Sequence, residues 1–114
     1  MKRGTVVLTK FPFTDLTSTK RRPAIVVFKT ESQKEDVIVA FISSVIPEII
    51  CKTDYILGMN HKDFKKSGLK TTSVIKLDKL ATLNKSIFSG ELGVVSKDTL
   101  LELNGKLMIA LDLI

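Results

Sequence analysis

The chain has 114 residues, 44% of them hydrophobic and 26% charged, with a formal net charge of +6. That length supports one domain, residues 1–114, with a core of its own, and the composition is that of an ordinary soluble globular chain. Its one cysteine, Cys51, excludes an internal disulfide and fits a reducing cytoplasm, while "MKRGTVVLTKF" is too short for a signal peptide and "VIVAFI" too short for a membrane span.

In chain order, "GTVVLTK" reads as a first strand. The stretch "FPFTDLTSTKRRPAIVV" follows, a loop of small polar residues that delivers Lys20, Arg21 and Arg22 to Pro23. "PAIVVFK" reads as a second strand, whose first residue need not donate to a ladder and so tolerates proline. "DVIVAFIS" is a third, continuously apolar and therefore expected to be covered on both faces. "EIICKTDYIL" reads as a fourth strand interrupted by polar residues. "NHKDFKKSG" predicts a short surface helix closed by Gly68. In "TTSVIKLDKLATL", alternation places Val74, Lys76, Asp78 and Leu80 on one face of a further strand. Ser96 is a candidate cap for a last helix whose Leu100, Leu103, Leu107, Leu111 and Ile114 recur at three- and four-residue spacing. Gly105 inside that helix costs about 1 kcal/mol relative to alanine. The expected architecture is a mostly antiparallel, strongly curled sheet of five or six strands with the last helix packed on it.

The charge is unevenly placed. Residues 1–34 hold eight Lys/Arg against two acids, and residues 35–114 hold ten of each. A basic surface polarised in this way attracts polyanions, of which nucleic acid is the commonest; a solubilising face is the plain alternative. Several enzyme classes are excluded. His61 is the sole histidine, so no histidine pair exists, and one His with one Cys offers no zinc spacing. There is no phosphate-binding glycine loop and no dinucleotide fingerprint. Asp98 and Glu102 share a helix face and read as solvated charge, and His61 reads as a surface residue.

What remains are polar groups set against core strands: Arg22 before the second strand, Ser43 with Ser44 at the end of the third, and Lys76 and Asp78 in the fifth. Each has an ordinary structural reading, as a loop cation, a turn residue or an exposed ion pair worth under about 1 kcal/mol. Their convergence at one end of a small sheet would make a site. Phe11 and Phe13, at the start of the loop, either pack in the core or line a groove for a base.

The run "RGTVVLTKFPFTDLTSTKRRPAIVV", then "VAFISS" and "SVIKLDKLATLNK", resembles the MazF/PemK family of toxins from type II toxin–antitoxin systems. The opening glycine, the R-P-x-x-V-V step and the S-V-I-x-x-D segment carry the likeness. The resemblance implies an α+β, mainly β fold: a small SH3-like, PemK-type curled antiparallel β-barrel with a C-terminal helix, assembled as a homodimer. It implies a cytoplasmic, metal-independent, sequence-selective endoribonuclease, needing no cofactor and held inactive by a cognate acidic antitoxin. The family's arginine before the proline falls on Arg22 and its Ser/Thr at the end of the third strand on Ser43. The basic residue and carboxylate of the later strand fall on Lys76 and Asp78. Two positions depart from the family pattern: Thr5 stands where many members have an acid, and Ala81 where many have arginine.

Single-stranded RNA can be cut by its own 2′-hydroxyl. On that route Arg22 would hold the charge that builds on the phosphate, Ser43 would donate to the same phosphate, and Asp78 would take the 2′ proton. Lys76 would hold Asp78 ionised or donate to the phosphate. Lys20 and Arg21 would clamp the RNA backbone, with Thr17, Ser18, Thr19 and Ser44 hydrogen-bonding along it. Two other readings remain: a nucleic-acid-binding barrel without catalysis, and a related toxin that poisons a topoisomerase. The last relies on the terminal helix, and the apolar ending "ALDLI" disfavours it.

Overall fold

The apolar runs of the first third form three adjacent strands, β1 (Thr5–Lys10), β2 (Arg21–Lys29) and β3 (Asp36–Ser43). The structure is a computed structural model that describes residues 1–10, 21–29, 31 and 35–114. β4 (Asp54–Leu57), β5 (Ser73–Asn84) and β6 (Phe88–Val94) complete one antiparallel sheet in the order β4-β5-β3-β2-β1-β6. The outer strands β4 and β6 are not paired with each other, so the described sheet is curled but open.

Four details differ from the expectation. β2 begins two residues early, with Arg21 and Arg22 paired to Lys10 and Thr9 of β1. Arg22 therefore stands within the strand and not before it. Pro23 is tolerated there because the ladder to β3 starts only at Ala24, opposite Phe41. The fourth strand is shortened to Asp54–Leu57 by a turn: Asp54 N–H donates to the Cys51 carbonyl at 3.0 Å, and the Asp54 carboxylate accepts from Cys51 N–H at 3.0 Å. Ile49 and Ile50 are left exposed before it.

The third difference is in β5. Its register against β3 jumps between the Phe41–Lys76 and Ala40–Leu80 pairs, a bulge that breaks the two-residue alternation. Leu80 consequently packs with Ile75 and Leu77, so Val74, Lys76, Asp78 and Leu80 do not keep one common face. The fourth is β6, which sequence patterning missed. Two glycines weaken its strand signal, and register shifts against β1 leave Ser89 and Leu92 without ladder partners.

The sheet has a core on each face. Val6, Ile25, Ile42, Leu57, Ile75 and Leu77 form one, covered by α2 (Lys97–Ala110) through the fully buried Leu103. Leu100 and Leu107 pack partly on this core, but Leu111 and Ile114 lie beyond the helix and are exposed, so the stripe is shorter than its spacing suggested. Val7, Ala24, Val26, Val37 and Val39 form the second core, with Phe88 of β6 and Leu83 of β5 packed against it. Those two strands are separated by three others in the sheet, which shows how strongly it curls.

The predicted short helix is α1 (Phe64–Ser67), closed by Gly68 at φ +74°. Its C-terminal end meets β6 backbone to backbone. A Cβ on Gly93 would overlap the Lys66 carbonyl oxygen and stand 2.6 Å from the Ser67 carbonyl carbon; one on Gly68 would overlap the Leu92 carbonyl. Backbone on both sides leaves nothing free to rotate away. Gly93→Ala is expected to destabilise the fold by about 3 kcal/mol in urea unfolding. Gly90→Ala, with nothing within 4 Å of its Cβ, should change stability by under about 0.5 kcal/mol. Equal effects would show that the α1–β6 joint is not a constraint.

Candidate functional site

At the end of the sheet where β1, β2 and β3 carry their polar residues, a cavity of about 410 Å³ opens. Its apolar lining comes from Leu8, Pro23, Ile42, Leu69 and Leu92. Leu92 reaches it because the β6 bulge releases that residue from the ladder. Among the described residues, three cations line the same cavity, Arg21, Arg22 and Lys70, and no carboxylate does. Ser43, Ser44, Thr71 and Ser73 supply hydroxyls.

Strand register brings Arg22 and Ser43 together. The Ala24–Phe41 pairing, continued by two residues, sets Arg22 level with Ser43, and Ser43 is itself paired with Val74. The Ser43 hydroxyl accepts from Val45 N–H at 3.1 Å. Its own proton has no acceptor among the described residues and can donate into the cavity. Arg21 and Arg22 are exposed, and among the described residues no carboxylate pairs with them. An anion is the ligand such a rim can satisfy.

The other two sequence candidates stand elsewhere. Lys76 and Asp78 do not line the cavity. The Lys76 ammonium turns to Asp54, at 2.9 Å, and not to Asp78. Asp78 is exposed in the β5 bulge. Lys20, Thr17, Ser18, Thr19, Phe11 and Phe13 lie outside the described residues. The two departures from the family pattern have structural places: Thr5 is buried and donates to the Lys2 carbonyl at 2.7 Å, and Ala81 packs on the second core opposite Val39. Sequence reasoning missed Lys70, Thr71 and Ser73. The available signal was "GLKTTS", a cation and three hydroxyl residues directly after a helix-closing glycine.

The family described as PemK-like, MazF-like toxin of type II toxin-antitoxin system matches residues 2–111. The chain belongs to this family. Among curated proteins none matches it. The solved structures similar to it include one described as an endoribonuclease in complex with its cognate antitoxin from Mycobacterial species. That structure has TM-score 0.73 and 20% identity, over 100% of this chain and 97% of the other. A second, described as an endoribonuclease from Mycobacterial species, has TM-score 0.70 and 22% identity, over 98% and 91%. The Mycobacterium tuberculosis toxin MazF-mt6 has TM-score 0.67 and 16% identity, over 95% and 96%.

In this family member two buried carboxylates hold the elements around the cavity. Burial alone would raise the Asp54 carboxyl, but the Cys51 N–H and the Lys76 ammonium outweigh it and hold it below its ordinary 3.8. Asp63, also buried, accepts from Thr99 Oγ1 at 2.6 Å, Ser96 Oγ at 2.7 Å and Ser96 N at 2.8 Å. These bonds overcome burial and hold its carboxyl at about 2. The carboxylate also meets the first turn of α2, where negative charge is favoured, and Ser96 caps that helix as its sequence position suggested.

Near this hub the Tyr55 hydroxyl donates to Glu102 and bonds His61 Nε2 at 2.7 Å. His61 Nδ1 accepts from Asp63 N–H at 3.0 Å. The histidine is thus a half-buried connector within the fold, and Asp98 pairs with Lys62 at 2.8 Å.

A carboxyl depressed in the folded state contributes stability above its unfolded value and loses it as pH falls through the folded value. For Asp63 that window runs from about pH 4 down to about pH 2, and Asp54 acts in the same sense. Asp63→Asn is expected to cost about 2 kcal/mol at neutral pH. It should also flatten the loss of stability on acidification in urea titrations. A variant with the wild-type acid slope would remove Asp63 from this role.

Proposed function

We propose that this single-domain protein is a sequence-selective endoribonuclease toxin that cuts single-stranded RNA with the RNA's own 2′-hydroxyl as nucleophile. The observation that carries the proposal is the meeting of Arg22 from β2 and Ser43 from β3 at one cavity rimmed by cations. Family membership and the mycobacterial endoribonucleases of similar fold support it. The 2′ oxygen attacks phosphorus, the bond to the 5′ oxygen breaks, and that oxygen takes a proton. The products are a 2′,3′-cyclic phosphate and a 5′-hydroxyl. Arg22 neutralises the charge that builds on the non-bridging oxygens, and Ser43 donates a hydrogen bond to the same phosphate. Arg21, with Lys20 and the hydroxyls of Thr17, Ser18, Thr19 and Ser44, holds the flanking backbone.

On this reading the route uses the cations and hydroxyls of the lining and draws on no metal or cofactor. Lys76 and Asp78 enter only as groups that act from outside the lining, with Asp78 the carboxylate available to the 2′ proton and Lys76 already shared with Asp54. The protein acts in the cytoplasm as a homodimer, for which the exposed Met108, Leu111, Leu113 and Ile114 offer apolar surface. Among the described residues no helix is long and apolar enough to cross a membrane. Its inhibitor is a cognate acidic antitoxin that competes for the basic rim. The mycobacterial endoribonuclease solved with its cognate antitoxin supports such a partner.

Incubation of the purified protein with a long RNA in EDTA tests the reading. Discrete cuts with cyclic-phosphate ends are expected. Arg22→Ala should lower kcat by about 10²–10³ with a smaller change in binding. Ser43→Ala should lower it about tenfold, and Asp78→Asn less than Arg22→Ala. Equal losses of binding and turnover in Arg22→Ala would make Arg22 a clamp. Binding without cuts by the wild type would leave a nucleic-acid-binding barrel.

A further inference from the structure

Lys70 belongs to no basic run, and an exposed lysine by itself is ordinary. Its setting is not. The segment between α1 and β5 is pinned on both sides of it. Leu69 is buried in the first core and its N–H donates to Ser67 Oγ at 3.2 Å, while that hydroxyl donates to the Phe64 carbonyl at 2.6 Å. On the other side, the buried Ser73 donates its hydroxyl to the Thr71 carbonyl at 2.9 Å. The lysine is therefore presented at the cavity by a braced backbone, from the segment between α1 and β5 and not from β2, which carries Arg21 and Arg22. Cations brought from two parts of the chain to one cavity, with no carboxylate among the described residues of its lining, leave their compensation to a ligand.

The shape and chemistry of the lining narrow that ligand. A volume of about 410 Å³ lies within the range of about 300–1,000 Å³ usual for small-ligand sites, enough for one nucleotide but not for a run of stacked bases. The apolar part of the lining is aliphatic, it carries hydroxyls as well, and no aromatic ring is among its described residues. Such a lining takes an unstacked base by packing and leaves its edge to the Thr71 and Ser44 hydroxyls.

We propose that this cavity is a subsite for one unstacked nucleotide of the RNA, its base on the aliphatic lining and an adjoining phosphate held by Lys70 of the α1–β5 segment and Arg21 of β2. The inference rests on the ribonuclease reading for its substrate class. It adds a specificity-determining subsite whose cation comes from the α1–β5 segment.

The test measures fluorescence anisotropy with a labelled, mixed-sequence single-stranded RNA whose 2′-hydroxyls are methylated, so that it binds without being cut. Salt is varied in parallel, and turnover is followed on the unmodified RNA. Lys70→Ala is expected to weaken binding about five- to tenfold and to reduce the slope of log Kd on log salt by about 0.7. It should raise KM with kcat unchanged, and Lys70→Arg should restore both. Thr71→Trp, which crowds the cavity from its lining, removes a hydroxyl offered to the base edge and leaves the cations in place, should weaken binding without changing the salt slope.

Wild-type affinity and slope in Lys70→Ala would overturn the subsite even if Arg22→Ala abolishes cleavage. A wild type that never cuts, yet binds with a Lys70-dependent slope, would uphold the subsite and sink the nuclease reading. Unchanged RNA binding by Lys70→Ala with loss of affinity for an acidic antitoxin peptide would make the cavity a protein-docking surface and overturn the proposal.

Discussion

Two missing side chains hold this structure's working end together. Because neither Gly68 nor Gly93 carries a Cβ, the backbone of α1 can lie directly on the backbone of β6. That contact sets where the chain leaves α1, and so where Leu69, Lys70 and Thr71 reach the cavity. It also places Asp63, at the start of α1, within reach of Ser96 and Thr99 at the start of α2. One close approach thus couples an edge strand, a four-residue helix and the helix that covers the first core. Among the described polar residues of the lining, β2 and the end of β3 by themselves supply Arg21, Arg22, Ser43 and Ser44, and the α1–β5 segment adds Lys70, Thr71 and Ser73.

The cations of the chain separate into those with an internal task and those without. Arg3 donates from Nε to the Val27 carbonyl at 2.5 Å and from its guanidinium to Asn104, tying the first residues to α2. Lys76 compensates Asp54, whose side chain is fully buried while that of Lys76 is 20% exposed. Breaking such a pair strands a charge in the interior, which is why its partners are constrained. Arg21, Arg22 and Lys70 instead face a shared cavity. The net charge of +6 is therefore a poor guide to the site by itself. What matters is which cations the fold leaves uncompensated, and where.

The site was legible in part. Arg22 and Ser43 stood out because each interrupts an apolar run at its end, and β2 and β3 are neighbours joined by a short connection, so their paired ends must coincide. Lys76 and Asp78 looked like a pair because residues two apart share a strand face. The β5 bulge removes that guarantee, and the turn at Cys51 delivers Asp54 to Lys76 instead. β6 escaped notice because its glycines serve contact with α1 and its bulges disrupt alternation. Lys70 escaped because nothing local distinguishes it from any solvated lysine.

By itself, then, the order of residues determined the three long apolar strands, the closing of α1 at Gly68, the Ser96 cap and the family likeness. These depend on local dihedral preference and on the periodicity of apolar side chains, both written along the chain. Only the tertiary structure decided which carboxylate Lys76 compensates, that the leucine stripe of α2 ends at Leu107, and that Lys70 shares a cavity with Arg21 and Arg22. Those outcomes turn on close approaches between segments far apart in sequence. Their geometry is set by register, bulges and absent side chains together, which no single stretch of residues contains.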